Sequence, residues 1–425
     1  MGGPTLDNRD SVGCERTDSG KPFSCVPLRW KTVPEYLQEA GISWRVYQDK
    51  DNFGDDPLVM WKQYQTSAKK KGDLAERGTS FPGLQKFFDA ARDGKLPEVS
   101  YIVAPMQLSE HPPYMPMDGA WLQGEVAKAV MHGKNWDSTA LIYSYDETGG
   151  WADHVVSPSP PQSEESEWIE DPYDKSNGIT PIGPGFRLPF YIVSPWTSGG
   201  HVFTEHAAHE SQIMFLEQWA LAHGKPFTSE EIPTWRREQL SDLVKAFDFS
   251  SKDTSVPEVP HVRKPSQDIF TGHFNGADVC QAIHLKKVQP DIPYKNLNSS
   301  NSMEVNKGFK RLRGDITEGR RLTFEAHNRA LSHSGSKLKS SSSSKEHDQK
   351  DQLFVVHWQG VNPKDNRFRI ATTDQLYITK SLSLSKNEEK AALFSLKDMG
   401  NGVGYSISEL DSGKRLQLNE DGSVA

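Results

Sequence analysis

An apolar run that ends in two carboxylates and two glycines is the most constraining feature of the sequence. Residues 140–145 form a short run rich in aromatic and branched side chains, which is typical of a buried strand. Asp146 and Glu147 follow at the point where such a strand emerges into a loop. Gly149 and Gly150 then break the chain and allow the backbone to pass close to a ligand. The pattern predicts a strand that ends in a functional loop.

Asp153 and His154 complete this segment, so four groups able to bind a metal or transfer a proton lie close together in the chain. If the strand is parallel, these groups lie at the sheet edge where open α/β proteins bind ligands. An Asp-rich turn with a solvated histidine is the other interpretation of these residues taken singly. Their combination with a buried strand and a double glycine favours a functional site.

Short apolar strands alternate with helices through the first 250 residues. Strands are predicted near 42–48, 99–105 and 187–195, and helices near 34–41, 84–92, 119–132 and 212–221. This alternation indicates an α/β fold with a mostly parallel sheet and helices on both faces. Residues 157–184, rich in Pro, Ser, Glu and Asp, are expected to form a long surface insertion, with a lid as one interpretation.

Two further groups of polar residues accompany this pattern. Glu110 and His111 follow the strand predicted at 99–105, although a loop histidine beside prolines is also a plausible spacer. His206 and His209 precede the helix predicted at 212–221, where His209 is either a site residue or a helix cap. The flanking acids Glu205 and Glu210 are also consistent with solvated loop charge.

The composition changes after about residue 249. We expect three regions: an α/β domain at 1–249, a linker at 250–350 with a low-complexity, disordered stretch at 337–345, and a small all-β domain at 351–425. The formal net charge of −8 argues against non-specific nucleic-acid binding. No apolar stretch approaches the length of a membrane span. Cys14 and Cys25 could form a small disulfide, and the sequence favours neither the bonded nor the reduced pair.

Five segments, in this order and spacing, resemble the phosphoesterase family that contains the non-haemolytic phospholipases C, the plant non-specific phospholipases C and a group of acid phosphatases. The similarity is greatest to the bacterial and fungal members. The segments are 29–48, 109–112 (SEHP), 145–155 (YDETGGWADHV), 186–196 (FRLPFYIVSPW) and 209–219 (HESQIMFLEQW). The resemblance implies an alkaline-phosphatase-like fold and cleavage of phosphate esters, including phospholipids.

The resemblance also implies roles for individual residues. Asp146 and Glu147 match the acidic pair that binds a divalent metal, whose identity is unknown. His111, His154 and His209 match histidines with catalytic roles, among them proton donation to the leaving group. The resemblance implies that Asp153, Glu110 and His206 either hold the metal ligands in place or bind substrate.

The sequence departs from the family pattern in two places. The family's upstream segment, with two further metal ligands and the nucleophile, has no counterpart here, so we expect an N-terminally truncated chain with no identified nucleophile. Ala208 stands where the family usually has Asp. The family is commonly secreted, but residues 1–10 lack the apolar region of a signal peptide. Two other functions stay open: non-catalytic binding of phospholipid or phosphate, and binding through the C-terminal β domain.

Overall fold

A computed structural model describes most of the chain. The described residues are the strands Glu15–Arg16 and Pro22–Ser24 and residues 27–50, 56–149, 159–171, 174–284, 309–361 and 364–425. Asp153, His154, Cys14 and Cys25 lie outside them, so the site and disulfide predictions for these residues stay predictions.

The chain divides into two compact units. The first unit comprises Met1–Pro195, Gln212–Arg237 and Asp253–Val288. The second comprises Trp196–Ser211, Glu238–Lys252 and Gln289–Ala425. The predicted boundaries at residues 249 and 350 stay predictions.

The described helices, in chain order, are α1 Val33–Glu39, α2 Lys62–Lys70, α3 Asp73–Gly78, α4 Leu84–Asp93, α5 Pro116–Met131, α6 His209–Ala222, α7 Thr234–Gln239 and α8 Gly276–His284. The described strands are β1 Glu15–Arg16, β2 Pro22–Ser24, β3 Trp44–Tyr47, β4 Val99–Ile102, β5 Leu141–Ser144, β6 Trp168–Glu170, β7 Ile179–Pro181, β8 Phe190–Val193, β9 Val202–Phe203, β10 Leu312–Arg313, β11 Arg321–Leu322, β12 Glu325–Ala326, β13 Arg329–Ser334, β14 Lys337–Ser342, β15 Phe354–Trp358, β16 Arg367–Thr372, β17 Tyr377–Ile378, β18 Leu384–Ser385, β19 Phe394–Asp398 and β20 Tyr405–Glu409.

Helix α5 organises the core of the first unit. Pro116 occupies its first turn, where a missing N–H costs nothing. Leu122, Val126 and Val130 recur at helical spacing and are buried against α4 and the start of β5. One face of the helix is therefore buried in the core. Residues on its other faces can contact the neighbouring loops.

The strands of the first unit form open, two-stranded sheets. Strands β3 and β4 pair in parallel, with Trp44 opposite Val99. Strand β5 pairs antiparallel with β8, with Leu141 opposite Val193. The expectation that β5 is a parallel strand is therefore wrong for this pairing. The described parts of the β5–β8 connection contain no α-helix, and a parallel connection usually needs such a crossover.

The described part of the 157–184 insertion contains a hairpin of β6 and β7. Glu167 lies just before β6 with its side chain only 1% exposed, and it forms a bidentate ion pair with Arg236 of α7. The Arg236 Nε donates to Glu167 Oε1 at 2.9 Å, and a terminal nitrogen donates to Oε2 at 2.8 Å. The insertion is therefore anchored to its unit by a buried charge pair.

The second unit has a seven-stranded sheet that contains β11 and β15–β20, with antiparallel pairing throughout. Its core includes Phe354, Phe368 and Phe394, which are almost completely buried. Strands β12–β14 form a separate three-stranded antiparallel sheet, and β9 pairs with β10 in parallel. The described part of the chain thus contains mixed helices and strands in open sheets, with no closed barrel.

The expectation of disorder at 337–345 is wrong for residues 337–342. These residues form β14 and pair with β13 over six positions. Leu338 packs on the core of the unit, and Ser340 is buried and accepts a hydrogen bond from Arg329 at 3.0 Å. The serine repeat is compatible with a strand because alternate side chains face opposite sides of a sheet.

Candidate active site

Two loops of the first unit meet through Tyr145 and Glu110. Tyr145 directly follows β5, and Glu110 lies in the loop between β4 and α5. The Tyr145 hydroxyl donates to Glu110 Oε2 at 2.9 Å. The next residues along the chain are Asp146 in one loop and His111 in the other. The contact therefore fixes together the two loops that the sequence identifies as candidate site loops.

Gln123 of α5 completes this contact. Its Nε2 donates to Glu110 Oε1 at 2.6 Å and to the Tyr145 hydroxyl at 2.7 Å. Tyr191 of β8 donates its hydroxyl to Gln123 Oε1. Tyr143 of β5 donates to the Gln123 carbonyl at 2.6 Å and stacks on Tyr191 with ring centroids 4.7 Å apart. These five residues are called the tyrosine cluster below.

Burial sets the protonation of the tyrosine cluster. It raises the pKa of Glu110, although the hydrogen bonds from Tyr145 and Gln123 act in the opposite direction. Burial also raises the pKa of Tyr145, to about 12, and raises the pKa of Tyr191. Tyr145 therefore remains a protonated hydrogen-bond donor at neutral pH.

Gly119 of α5 leaves the space that Glu110 occupies. A Cβ at this position would lie 2.1 Å from the Glu110 Cγ. Glu110 itself has a φ of +67°, in the left-handed region that few residues adopt without strain. The Glu110 carboxylate is therefore held in one place by both backbone and packing.

Asp146 and Glu147 lie exposed in the loop after β5. Asp146 Oδ1 accepts the Glu147 N–H at 2.9 Å, and Glu147 Oε2 accepts the Gly149 N–H at 2.6 Å. Gly149 has a φ of +64°, which requires glycine for an unstrained turn. The loop thus presents two adjacent carboxylates oriented by its own backbone.

These two carboxylates supply hard oxygen ligands of the kind that divalent cations prefer. Within the described residues, however, no group of three or more His, Cys, Asp or Glu side chains is arranged to hold a metal ion. The donor chemistry fits a divalent cation, but the described ligand set is incomplete. No reaction step is therefore derived through a metal.

His111 is exposed in the loop between β4 and α5. Its Nδ1 lies 2.6 Å from the carbonyl oxygen of Pro112. A carbonyl only accepts hydrogen bonds, so this contact places a proton on Nδ1. Nε2 is then the ring atom that can gain or lose a proton.

His206 and His209 belong to the second unit, whereas Glu110 and Asp146 belong to the first. His209 begins α6, and Ser211 accepts the Ala208 N–H at 3.1 Å. The Ser241 N–H donates to the His206 carbonyl at 2.8 Å. No residue in the described part of the chain is identified as a nucleophile.

Sequence reasoning missed Gln123, Tyr143 and Tyr191 as partners of the site. Each lies in a regular element and has a side chain common in protein cores, so only its position in the fold reveals the role. Tyr145 directly precedes Asp146, but the sequence alone does not indicate its contact with Glu110.

The fold and this site define a mixed α/β protein with a candidate hydrolytic centre. The model of the phosphoesterase family matches residues 3–221, about half of the chain, and the chain belongs to this family. The family resemblance inferred from the sequence is therefore confirmed. No helix in the described ranges has the length and apolar character needed to cross a membrane.

Several bacterial phospholipases C are similar to the chain. Non-hemolytic phospholipase C of Burkholderia pseudomallei is 34% identical over 263 residues, covering 54% of this chain and 37% of the relative. Non-hemolytic phospholipase C of Pseudomonas aeruginosa is 38% identical over 281 residues, covering 62% and 38%. Phospholipase C A of Mycobacterium tuberculosis is 31% identical over 274 residues, covering 60% and 51%. The chain thus matches between about two fifths and one half of the length of these relatives.

Proposed function

We propose that this chain is a hydrolase of phosphate esters that resembles phospholipase C and cleaves the phosphodiester of glycerophospholipids or a phosphomonoester. The observation that carries the proposal is the hydrogen bond between Tyr145 and Glu110. It joins the loop with the acidic pair to the loop with His111. Phosphoester cleavage needs a cationic clamp on the phosphate oxygens and a proton donor for the leaving group.

Asp146 and Glu147 are proposed as two ligands of a divalent cation. Such a cation, when bound, would neutralise charge on the phosphate oxygens. The exposed carboxylates accept only backbone N–H groups in the contacts described above, which leaves oxygen lone pairs for coordination.

His111 is proposed as the proton donor to the leaving group. With Nδ1–H held on the Pro112 carbonyl, a protonated ring directs its second proton from Nε2. An attacking oxygen, from water or from a side chain, forms a new bond to phosphorus as the bond to the leaving oxygen breaks; the leaving oxygen takes the Nε2 proton and the imidazole becomes neutral. The attacking group is not assigned.

The remaining site residues take supporting roles in this proposal. His154 and His209 are proposed as further catalytic histidines. Asp153, Glu110 and His206 are proposed to hold the metal ligands in place or to bind substrate. The role of Glu110 is supported by two contacts: Gln123 and Tyr145 both donate hydrogen bonds to its carboxylate, and Glu110 directly precedes His111 in the sequence.

The finer architecture belongs to the same proposal. An alkaline-phosphatase-like, mostly parallel sheet is proposed for residues 1–249, with β3 and β4 as one of its parallel pairs. A linker is proposed at 250–350 and an all-β domain at 351–425. An experimental structure with a continuous parallel sheet would support this arrangement.

The function is tested by hydrolysis of para-nitrophenyl-phosphorylcholine and para-nitrophenyl phosphate. Turnover of the first substrate supports a diesterase, and turnover of only the second supports a monoesterase. His111→Asn is expected to lower kcat by roughly 100-fold or more. His132→Asn, at an exposed histidine after α5, is the matched control and is expected to retain activity. A folded chain that binds phosphate without turnover would contradict the proposal.

A further inference from the structure

A tight turn in the first unit exposes two large apolar side chains. The turn comprises residues 267–274, and an antiparallel bridge joins Gln267 to Phe274 at its base. Ile269 is 88% exposed and Phe270 is 90% exposed at its tip. Among the large hydrophobic residues described in the first unit, these two are the most exposed. Such an arrangement costs solubility unless something covers it.

The turn is ordered by its own hydrogen bonds rather than by burial of these side chains. Asp268 Oδ1 accepts the N–H of Phe270 at 3.0 Å and the N–H of Thr271 at 2.7 Å. The Asp268 N–H donates to the His273 carbonyl, and the Gly272 N–H donates to the Asp268 carbonyl, both at 2.8 Å. Hydrogen bonds within the turn, most of them to Asp268, therefore hold its backbone while the two apolar side chains at its tip remain exposed.

The base of the turn is fixed to α5. Phe274 packs against Trp121 with ring centroids 5.6 Å apart. A Cβ on Gly276 would lie 2.0 Å from Asp118 Oδ2, so the chain runs close against the helix here. Because Gln123 of the tyrosine cluster lies in the same part of α5, this half of the helix supports both the turn and the candidate active site.

Exposed basic residues precede the turn in the chain, and exposed apolar residues follow it. Arg263 and Lys264 are exposed before it, which supplies positive charge in a chain of net charge −8. Helix α8 follows it, with Val279 40% exposed and Ile283 53% exposed one helical turn apart. An apolar tip that basic residues precede in the chain is complementary to the apolar interior and phosphate groups of a lipid surface.

We propose that the 267–274 turn is a wedge that inserts Ile269 and Phe270 into the surface of a phospholipid bilayer. A fluid bilayer accepts a convex apolar tip without a preformed complementary groove, whereas a protein partner needs one. The wedge would hold the enzyme on its substrate surface, and in this respect it rests on the proposed function. Binding itself requires no turnover.

Binding to phosphatidylcholine vesicles, with and without phosphatidylserine, tests the wedge. Cosedimentation of the full chain in the presence of a chelator separates binding from metal-dependent hydrolysis. The double variant Ile269→Ser/Phe270→Ser is expected to bind at least roughly 100-fold more weakly, since each large apolar side chain contributes about ten-fold or more. Asp268→Ala keeps the apolar residues but removes the carboxylate that accepts the N–H groups of Phe270 and Thr271. It is expected to weaken binding several-fold.

Ile179→Ser is the matched control, because Ile179 is 71% exposed in the β6–β7 hairpin of the same unit. It is expected to bind vesicles like the unsubstituted chain. Unchanged binding of the double variant, or no vesicle binding by the unsubstituted chain, would overturn the wedge. So would a dimer in solution that the double variant converts to monomer, because a second copy would then cover the tip.

The two proposals fail in different ways. Hydrolysis of a soluble ester without vesicle binding would overturn the wedge and leave the proposed function standing. Vesicle binding without hydrolysis of any phosphate ester would contradict the proposed function and support the wedge.

Discussion

The Tyr145 hydroxyl donates a 2.9 Å hydrogen bond to the carboxylate of Glu110, across a separation of 35 residues in the chain. This bond joins the loop after β5 to the loop before α5. Gln123 contacts both partners, so the bond is supported from the core helix. The bond brings two separate sequence motifs together in the fold.

Removal of the Tyr145 hydroxyl should disturb the position of the Glu110 carboxylate without removing a group that reacts with the substrate. Tyr145→Phe retains the ring but leaves a carboxylate oxygen of Glu110 without its donor. We expect kcat for phosphate-ester hydrolysis to fall roughly ten-fold, in the range of a lost supporting hydrogen bond. The pKa of Glu110 should rise, because the hydrogen bond from Tyr145 stabilises the charged carboxylate and the substitution removes it. Tyr114→Phe, in the loop before α5, is the control. An unchanged pH profile and kcat would contradict this role.

The half-buried carboxyl of Glu110 should make stability depend on pH. Burial raises its folded pKa above the usual value, so the folded state favours the protonated form. The stabilising contribution is present below the unfolded pKa and is lost as pH rises through the folded pKa. Glu110→Gln should therefore gain thermal stability relative to the unsubstituted chain as pH rises from about 4, near the usual pKa of a glutamate, towards neutral. Melting curves measured across this range check the prediction, and a difference that does not grow with pH would contradict it.

Gly119 should not tolerate a side chain. Gly119→Ala would place its Cβ 2.1 Å from Glu110 Cγ and displace the carboxylate from Gln123 and Tyr145. We expect lower activity and a loss of stability of about 1–3 kcal/mol, as for other overpacked sites. Gly124→Ala in the same helix is the matched control, since its nearest neighbour would be 3.7 Å away. The control should gain up to about 1 kcal/mol from helix propensity. Equal effects of the two substitutions in thermal unfolding would exclude the steric account.

The ion pair between Glu167 and Arg236 should hold the insertion hairpin. Glu167→Gln removes the buried negative charge that pairs with Arg236, and breaking a buried ion pair typically costs about 3–5 kcal/mol. We expect a lower melting temperature and faster proteolysis within the hairpin. Asp89→Asn breaks the exposed pair with Arg92 and should cost less than about 1 kcal/mol. Comparable losses from the two substitutions would show that the buried pair does not anchor the hairpin.

Local elements could largely be predicted from the sequence. The helix predicted at 34–41 appears as α1, and its N-cap residue Thr32 donates its N–H to Glu35 Oε2 at 2.8 Å. The strand predicted at 42–48 appears as Trp44–Tyr47, and the helix predicted at 119–132 as Pro116–Met131. These features depend on neighbours in sequence, where capping and periodicity act directly.

Long-range relationships could not be predicted in the same way. The antiparallel pairing of β5 with β8 depends on how the chain returns, which local patterns do not encode. The serine-rich residues of β14 were expected to be disordered because composition does not reveal that β13 supplies a partner strand. Gln123 likewise contacts the candidate site only because α5 places it between Glu110 and Tyr145.

We propose that the loop of Asp146 and Glu147 supports hydrolysis of phosphate esters. The most direct measurement is hydrolysis of para-nitrophenyl-phosphorylcholine by the folded chain with and without added divalent cation. It is made on the unsubstituted chain, on Asp146→Asn and on the exposed-carboxylate control Glu170→Gln. The account predicts cation-dependent turnover that Asp146→Asn lowers by roughly 100-fold or more and that Glu170→Gln leaves unchanged. Equal turnover by all three proteins, or none from the folded unsubstituted chain, would contradict it.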